Sequence, residues 1–251
     1  MMKEELLKKR FEELADKAFT QNIYTYTHFL TEYEQSIFKE MSAGLSFAEP
    51  HLEGGHRYFT RGIVVFGSEN MFGYQGEILL ACAKISPVFD KFAENLTHRD
   101  YLGALMNLGI ERHQLGDILV DGKDAYVFCL QHISGFLQDN LDQVRHTRVS
   151  VELISWEDIS YQQKFEKKEG FVASMRLDAV VSMAFGLSRN ASDGLLRGQK
   201  IFCNGRLASG GDLKLNPGDS VSVRGYGKFL VDHLGKQSKK GRQFIALNIF
   251  K

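Results

Sequence analysis

The sequence predicts an α+β chain in three folded parts. A small N-terminal α/β domain spans residues 1–75, a second domain residues 76–157 and a third residues 173–251, with 158–172 as a linker. Three observations carry this. Strand-like and helix-like apolar patterns alternate along the chain. Turn and cap residues punctuate them at domain-like spacing. Charge is split: residues 171–251 hold 13 Lys and Arg against 5 Asp and Glu, while residues 1–170 hold 18 against 26. The overall net charge of zero therefore hides a basic module tied to an acidic body.

Taken in order, Leu7, Phe11, Leu14 and Ala18 fall at helical spacing, with Glu4/Lys8 and Glu5/Lys9 as i,i+4 pairs on the wet side. The polar face is mixed in sign, which fits a helix on its own domain better than one on a membrane surface. A second helix is expected over 31–41 and a strand over 61–66. The middle is more regular. Residues 78–85 read as an apolar strand. Thr97 caps a helix that stops at Gly109, with Asp100 placed for a capping box. Strands at 117–120 and 125–130 flank the turn signal Asp121-Gly122. A helix over 134–144 and a strand over 149–155 complete a βαββαβ order, the ferredoxin-like arrangement shared with RNA-recognition modules. The basic-Gly-aromatic signature of those modules is absent from Asp124-Ala125-Tyr126-Val127-Phe128. Tyr126 and Phe128 share a strand face and are expected to pack on a neighbouring domain, with base stacking as the alternative.

The charged residues Lys164, Glu166, Lys167, Lys168 and Glu169 read as linker. After them Arg176-Leu177-Asp178 opens a short helix that Gly186 ends. Ser188 caps a second helix from Arg189 to Arg197, ended by Gly198. Strands at 200–203, 220–224 and 244–249 are separated by the turns Asn204-Gly205 and Pro217-Gly218-Asp219 and by a basic loop over 236–242. Arg189 lies in the first turn of its helix, where free N–H groups and the helix dipole already favour anions. Arg197 and Lys200 flank the end of that helix. Arg189–Asp193 and Asp193–Arg197 are i,i+4 pairs, so part of this charge is expected to be matched internally.

Cys82, Cys129 and Cys203 are odd in number and far apart, which points to buried free thiols in a reducing compartment. The charged N-terminal stretch lacks the apolar core of a signal peptide, and no apolar run approaches a membrane span. A cytoplasmic location is expected. Glu49, His51, Glu53 and His56 are the one cluster of ligand-type residues. Their spacing, broken by Gly54-Gly55, reads as a solvated loop and not as a metal site.

Arg176-Leu177-Asp178, Leu187-Ser188-Arg189, Ala191, Leu195-Leu196, Gly198, Asn204-Gly205, Gly218-Asp219 and Arg224-Gly225 together resemble the RNA-binding domain named after small-subunit ribosomal protein S-four, over about residues 174–229. The resemblance implies two helices on a small bent sheet that grip structured RNA. It implies contacts from Arg176, Ser188, Arg189, Arg197, Lys200, Asn204 and Arg224. Lys228, Lys239, Lys240 and Arg242 extend the expected set by their charge. Asp193-Gly194 departs from the pattern, which favours helix formers and basic residues there.

Upstream, Leu96-Thr97-His98-Arg99-Asp100-Tyr101-Leu102-Gly103-Ala104-Leu105, Leu108-Gly109-Ile110-Glu111-Arg112 and Gly116-Asp117-Ile118-Leu119-Val120 resemble the bacterial YlmH family. So does Arg224-Gly225-Tyr226-Gly227-Lys228-Phe229. That resemblance implies a ribosome-associated RNA-binding protein whose partners are rRNA, tRNA and stalled large ribosomal subunits. No DNA, membrane, metal or cofactor is expected as a partner, and no residue is assigned a catalytic role.

The alternative is an RNA-modifying enzyme of pseudouridine-synthase type with its site in the N-terminal part. Those enzymes carry a catalytic Asp after Gly-Arg-Leu. Here Ser174-Met175 precede Arg176-Leu177-Asp178, so Asp178 reads as a first-turn acid. No Gly-x-Gly-x-x-Gly opens a helix after a strand, which argues against a dinucleotide site.

Overall fold

The computed structural model describes all residues except 1, 78, 156, 157 and 160. They form two compact units, residues 1–161 and 162–251. The first contains α1 (Met2–Gln21), β1 (Thr25–Tyr26), α2 (Glu32–Met41), β2 (His51–Glu53), β3 (Ile63–Phe66), α3 (Glu69–Phe72), β4 (Leu80–Pro87), α4 (His98–Asn107), β5 (Leu115–Asp121), β6 (Asp124–Leu130), α5 (Gln131–Asn140), β7 (Gln143–Val144) and β8 (Thr147–Ile154). Residue 78, where the sequence starts β4, lies outside the described residues.

Local chemistry sets these boundaries. Thr31 and Glu34 close a capping box on α2: the Thr31 N–H donates to Glu34 Oε2 at 2.7 Å, and the Glu34 N–H donates back to Thr31 Oγ1 at 3.3 Å. Thr97 and Asp100 do the same for α4. In α1, Glu4 and Lys8 pair at 2.8 Å, whereas Lys9 turns to Glu13 instead of Glu5. Helix α5 starts three residues before the expected Ser134 and ends at Asn140 instead of Val144, because Gln143–Val144 pairs with β8 as β7. The Ser134 hydroxyl bonds back to the Gln131 carbonyl within the first turn at 2.8 Å instead of capping.

Two antiparallel sheets stack in this unit. One has strand order β1-β3-β2 and the other β5-β6-β4-β8-β7. Val64 and Phe66 of β3 face Phe11, Leu14, Ile37 and Phe38 of α1 and α2. The other side of β3, Ile63 and Val65, meets Leu80, Cys82, Tyr126, Phe128 and Leu130 on one side of the larger sheet. The opposite side of that sheet, including Ala83, Ile85, Val127 and Cys129, packs on α4 and α5. The layers therefore run helix, sheet, sheet, helix. Strand β6 is apolar on both faces because both are covered. Burial pushes the Cys82 and Cys129 thiols up to about 12, and Cys203 is also buried and free.

The two sheets approach closely only because glycines leave room. A Cβ on Gly55 (φ +80°) would sit 2.4 Å from the Phe128 ring. One on Gly116 would sit 2.6 Å from Phe29 and 2.9 Å from Phe128. Beside this contact Asp117 of β5 is 8% exposed and accepts from three groups across the sheet boundary. His56 Nε2 lies 3.0 Å from Oδ2, the Thr60 N–H donates to Oδ2 at 2.6 Å, and Thr60 Oγ1 donates to Oδ1 at 2.5 Å. Arg61 and Arg112 tie the surrounding carbonyls of Phe29, Leu115 and Gly116. The expected solvated loop over 49–56 is thus corrected. It contains β2, a left-handed Glu49 that accepts from Ser68, and the His56 clamp. The clamp needs partners about 60 residues away, which local spacing does not reveal.

The second unit contains β9 (Phe165–Val172), α6 (Leu177–Phe185), α7 (Arg189–Arg197), β10 (Ile201–Cys203), β11 (Arg206–Leu207), β12 (Ser220–Val223), β13 (Gly227–Gln237) and β14 (Gln243–Phe250). Its single sheet has order β11-β10-β12-β13-β14-β9. Helices α6 and α7 cover one side, burying Val180, Val181, Ala184 and Leu195 against Phe229, Val231, Ile245 and Leu247. The expected linker over 158–172 is corrected here. Residues 157 and 160 lie outside the described residues, but Phe165–Val172 is an edge strand paired with β14 along its whole length. Its charges are those with which an edge resists further pairing, and they look like linker composition. Lys168 donates to the Ala184 carbonyl at 3.0 Å, and Glu166 pairs with Lys251 at 2.5 Å.

The Asp117 clamp yields a signed expectation. Burial alone raises its carboxyl pKa, but hydrogen bonds from His56 and Thr60 outweigh that and hold it below the ordinary value. A depressed folded pKa contributes stability above the unfolded value and loses it as pH falls through the folded one. Asp117→Asn should cost about 1–3 kcal/mol near neutral pH, since it strands buried donors. In thermal melts the gap between variant and native chain should close as pH drops below the ordinary carboxylate range. A pH-independent gap contradicts the assignment.

Candidate nucleic-acid interface

The part of the βαββαβ sheet face that carries aromatic residues is covered, whereas Arg148, Ser150 and Glu152 of β8 remain exposed. Tyr126 is 3% and Phe128 0% exposed, both against the smaller sheet, and the Phe128 ring lies 5.1 Å from that of His56. The expectation that these aromatics pack on a neighbouring part of the chain holds.

The expected contact residues of the second unit fall into two groups. The first is engaged in holding the fold. Ser188 is the α7 N-cap and accepts from the Ala191 N–H at 3.2 Å. Asn204 (φ +49°) and Gly205 (φ +75°) form the tight turn between β10 and β11. The Asn204 amide donates to Asp219 Oδ1 at 2.8 Å and accepts from the Ser220 N–H at 2.9 Å, so it braces β12. Arg176 grips Asp178 as a fork, at 2.7 and 3.2 Å, while Asp178 also accepts from the Ala179 N–H at 2.7 Å. The Arg176 bond, opposed by burial and helped by that N–H, holds the Asp178 carboxyl below its usual value. Arg242 donates to the Phe171 carbonyl at 2.5 Å.

The second group keeps its charge outward. Arg189, Arg197, Lys200 and Arg224 are exposed and form no ion pair with any described residue. The expected pairing of Arg189 and Arg197 with Asp193 does not form. Arg189 shares a cleft of about 390 Å³ with Arg176, Asp178 and Asp193. Arg197 and Lys200 follow one another at the end of α7, and the Arg224 N–H donates to the Lys200 carbonyl at 2.9 Å. These three cations therefore meet at one corner. The Arg224 guanidinium lies 4.8 Å from the centre of the Phe202 ring, which steers it. Helix α7 is held beneath by the fully buried Ser192, whose hydroxyl donates to the Asp178 carbonyl at 3.2 Å. Lys228 is half-buried, 5.1 Å from the Phe250 ring. Lys239 and Lys240 sit exposed at the tip of the β13–β14 hairpin. The aromatic partners Phe202 and Phe250 escaped the sequence reading because only strand register brings them to these cations.

An α+β chain with a basic, outward-facing unit is of the kind that binds nucleic acid, and residues 84–158 match the family model described as "Putative RNA-binding domain in YlmH". Over 221 residues the chain is 26% identical to "Ribosome-associated protein quality control protein P2" of Bacillus subtilis (strain 168), covering 86% of this chain and 83% of that protein. A solved structure, "Cell division protein ylmH from Streptococcus pneumoniae", is 21% identical with a TM-score of 0.47, over 64% of this chain and 96% of that one. The family model and the Bacillus relative support a YlmH relationship. No helix among the described residues is long and apolar enough to cross a membrane.

The two groups should separate on mutation. Asn204→Ala removes a brace between strands and should lower stability by about 1–2 kcal/mol in denaturant melts. RNA affinity per folded molecule should change less than twofold. A large affinity loss in a fully folded variant would return Asn204 to the contact set.

Proposed function

We propose that this chain is a non-enzymatic RNA-binding factor that acts on the ribosome. Its C-terminal unit grips structured rRNA in the manner of an S-four-type domain, and its work is on stalled large subunits that still hold tRNA. The observation that carries this reading is the set of outward cations on α7 and its adjoining sheet corner, Arg189 at the helix start and Arg197, Lys200 and Arg224 at its end, exposed and without ion pairs among the described residues. The name of the Bacillus relative supports the ribosomal setting. The aromatic part of the ferredoxin-like sheet is closed, so Tyr126 and Phe128 are given no part in this reading.

An RNA-modifying role is the weaker reading. The one acid with a tempting sequence context, Asp178, is clamped by Arg176 and the Ala179 N–H as part of the α6 first turn.

Arg189 is the sharpest test, because its guanidinium and the free N–H groups of the α7 first turn act on one phosphate. Arg189→Ala should cost about 1–3 kcal/mol in binding to purified large subunits at fixed salt, with circular dichroism unchanged. Arg189→Lys should recover part of it, keeping the charge but not the fork. With roughly 4 to 6 phosphates neutralised, log K should fall against log salt with a slope of about −3 to −5. A folded Arg189→Ala chain that binds like the native one, with a slope near −1, sinks the proposal.

A further inference from the structure

The side of the C-terminal sheet that faces away from α6 and α7 carries an aromatic pair at one end. Phe171 of β9 and Phe244 of β14 are register partners, and the row beside them, Gly170 and Ile245, points to the helix-covered core. Side chains alternate across a strand, so Phe171 and Phe244 project from the helix-free side. Their rings are 5.4 Å apart and edge-to-face, and Phe171 is 44% exposed. The Phe244 ring lies across Gly235, where a Cβ would come within 2.6 Å of it. The His233 ring stands 6.4 Å away on the same side, opposite Ala246.

This pair sits beside the basic hairpin tip. The tip is an ordered turn: the Ser238 N–H donates to the Arg242 carbonyl at 2.8 Å, and the Arg242 N–H donates to Ser238 Oγ at 3.0 Å. It carries Lys239, Lys240 and Arg242, with Lys236 just before it. The guanidinium of Arg242 bonds the Phe171 carbonyl and so lies next to the aromatic pair. The acid nearest the tip in sequence, Asp232, is already engaged by His233 at 2.9 Å and Asn248 at 3.1 Å, while Glu169, two residues before Phe171 on β9, is exposed on the same side of the sheet.

We infer that Phe171, Phe244 and the Ser238–Arg242 tip form a second RNA site, for unpaired nucleotides. The reason is the pairing of chemistries. Cations attract a backbone without regard to strandedness, but an exposed ring gains a partner only from a base whose face is free. In a duplex those faces are stacked. The site is separate in sequence from the α7 corner, so structured and single-stranded parts of one RNA engage different residues of the unit. This inference rests on the RNA-binding reading above and adds a substrate class to it.

Two fluorescein-labelled probes decide the matter by anisotropy with the full chain: a ten-nucleotide oligouridylate and an RNA hairpin of similar charge. Phe171→Ala/Phe244→Ala should weaken the oligouridylate about tenfold and the hairpin less than twofold. Arg189→Ala should do the reverse. Phe171→Ala alone, at an exposed edge-strand position, provides a variant whose fold is least disturbed, and it should weaken the oligouridylate about threefold. Phe171→Tyr should restore it, since the ring remains. Circular dichroism and thermal melts check the fold. Equal weakening of both probes, or of neither, overturns the aromatic site. If the native chain binds the hairpin but not the oligouridylate, the inference fails while the RNA-binding reading survives. If it binds neither, both fall.

Discussion

The close contact between two sheets, with Phe128 at its centre, constrains everything else in residues 1–161. The ring is fully buried because Gly55 leaves it the space that a Cβ would fill, as Gly116 does for the Phe29 ring and the Phe128 Cβ. Burying an aromatic side chain of this size contributes a few kcal/mol. The Asp117 carboxylate, held by His56 and Thr60, fixes the register of the loop that supplies Gly55. A buried charge left without these donors would be strongly destabilising, so the clamp specifies one docking of the loop and not merely a compact one. The functional consequence is subtraction. The part of the βαββαβ sheet face that carries Tyr126 and Phe128 is spent on the fold.

The excess of positive charge lies in residues 171–251. The helix-sheet packing there buries an apolar layer between α6, α7 and the strands, and leaves cations at the ends of elements where they cost the core nothing. Acids are not absent. Asp178 and Asp219 are consumed in local bonds that shape the α6 start and the turn beside Asn204. Their use inside the fold is what lets the remaining positive charge act outward.

Most of the local fold was legible in the sequence because its signals are local. The capping box at Thr97/Asp100, the left-handed Gly186 that ends α6 and the Asn204-Gly205 turn each depend on residues within four positions. Register-dependent facts were not legible. Strand β9 was hidden because an edge strand and a linker share a charged composition. The α5 start was misplaced because a serine hydroxyl bonds equally well to a carbonyl behind it or an amide ahead of it. The candidate site divided in the same way. Charge and helix position pointed to Arg189, Arg197 and Lys200, and the S-four resemblance to Arg224. None of these could reveal that the Asn204 amide is fully occupied, or that Phe202, Phe171 and Phe244 lie beside cations.

The central claim is that RNA meets the outward cations of the second unit and never the sheet face that Phe128 closes. Ultraviolet crosslinking of the full chain to large ribosomal subunits, followed by mass spectrometry of the crosslinked peptides, tests this directly. The account predicts adducts within residues 188–200 and 224–244 and none on the peptide containing Tyr126 and Phe128. Adducts on Tyr126 or Phe128, with residues 162–251 unmodified, would contradict it.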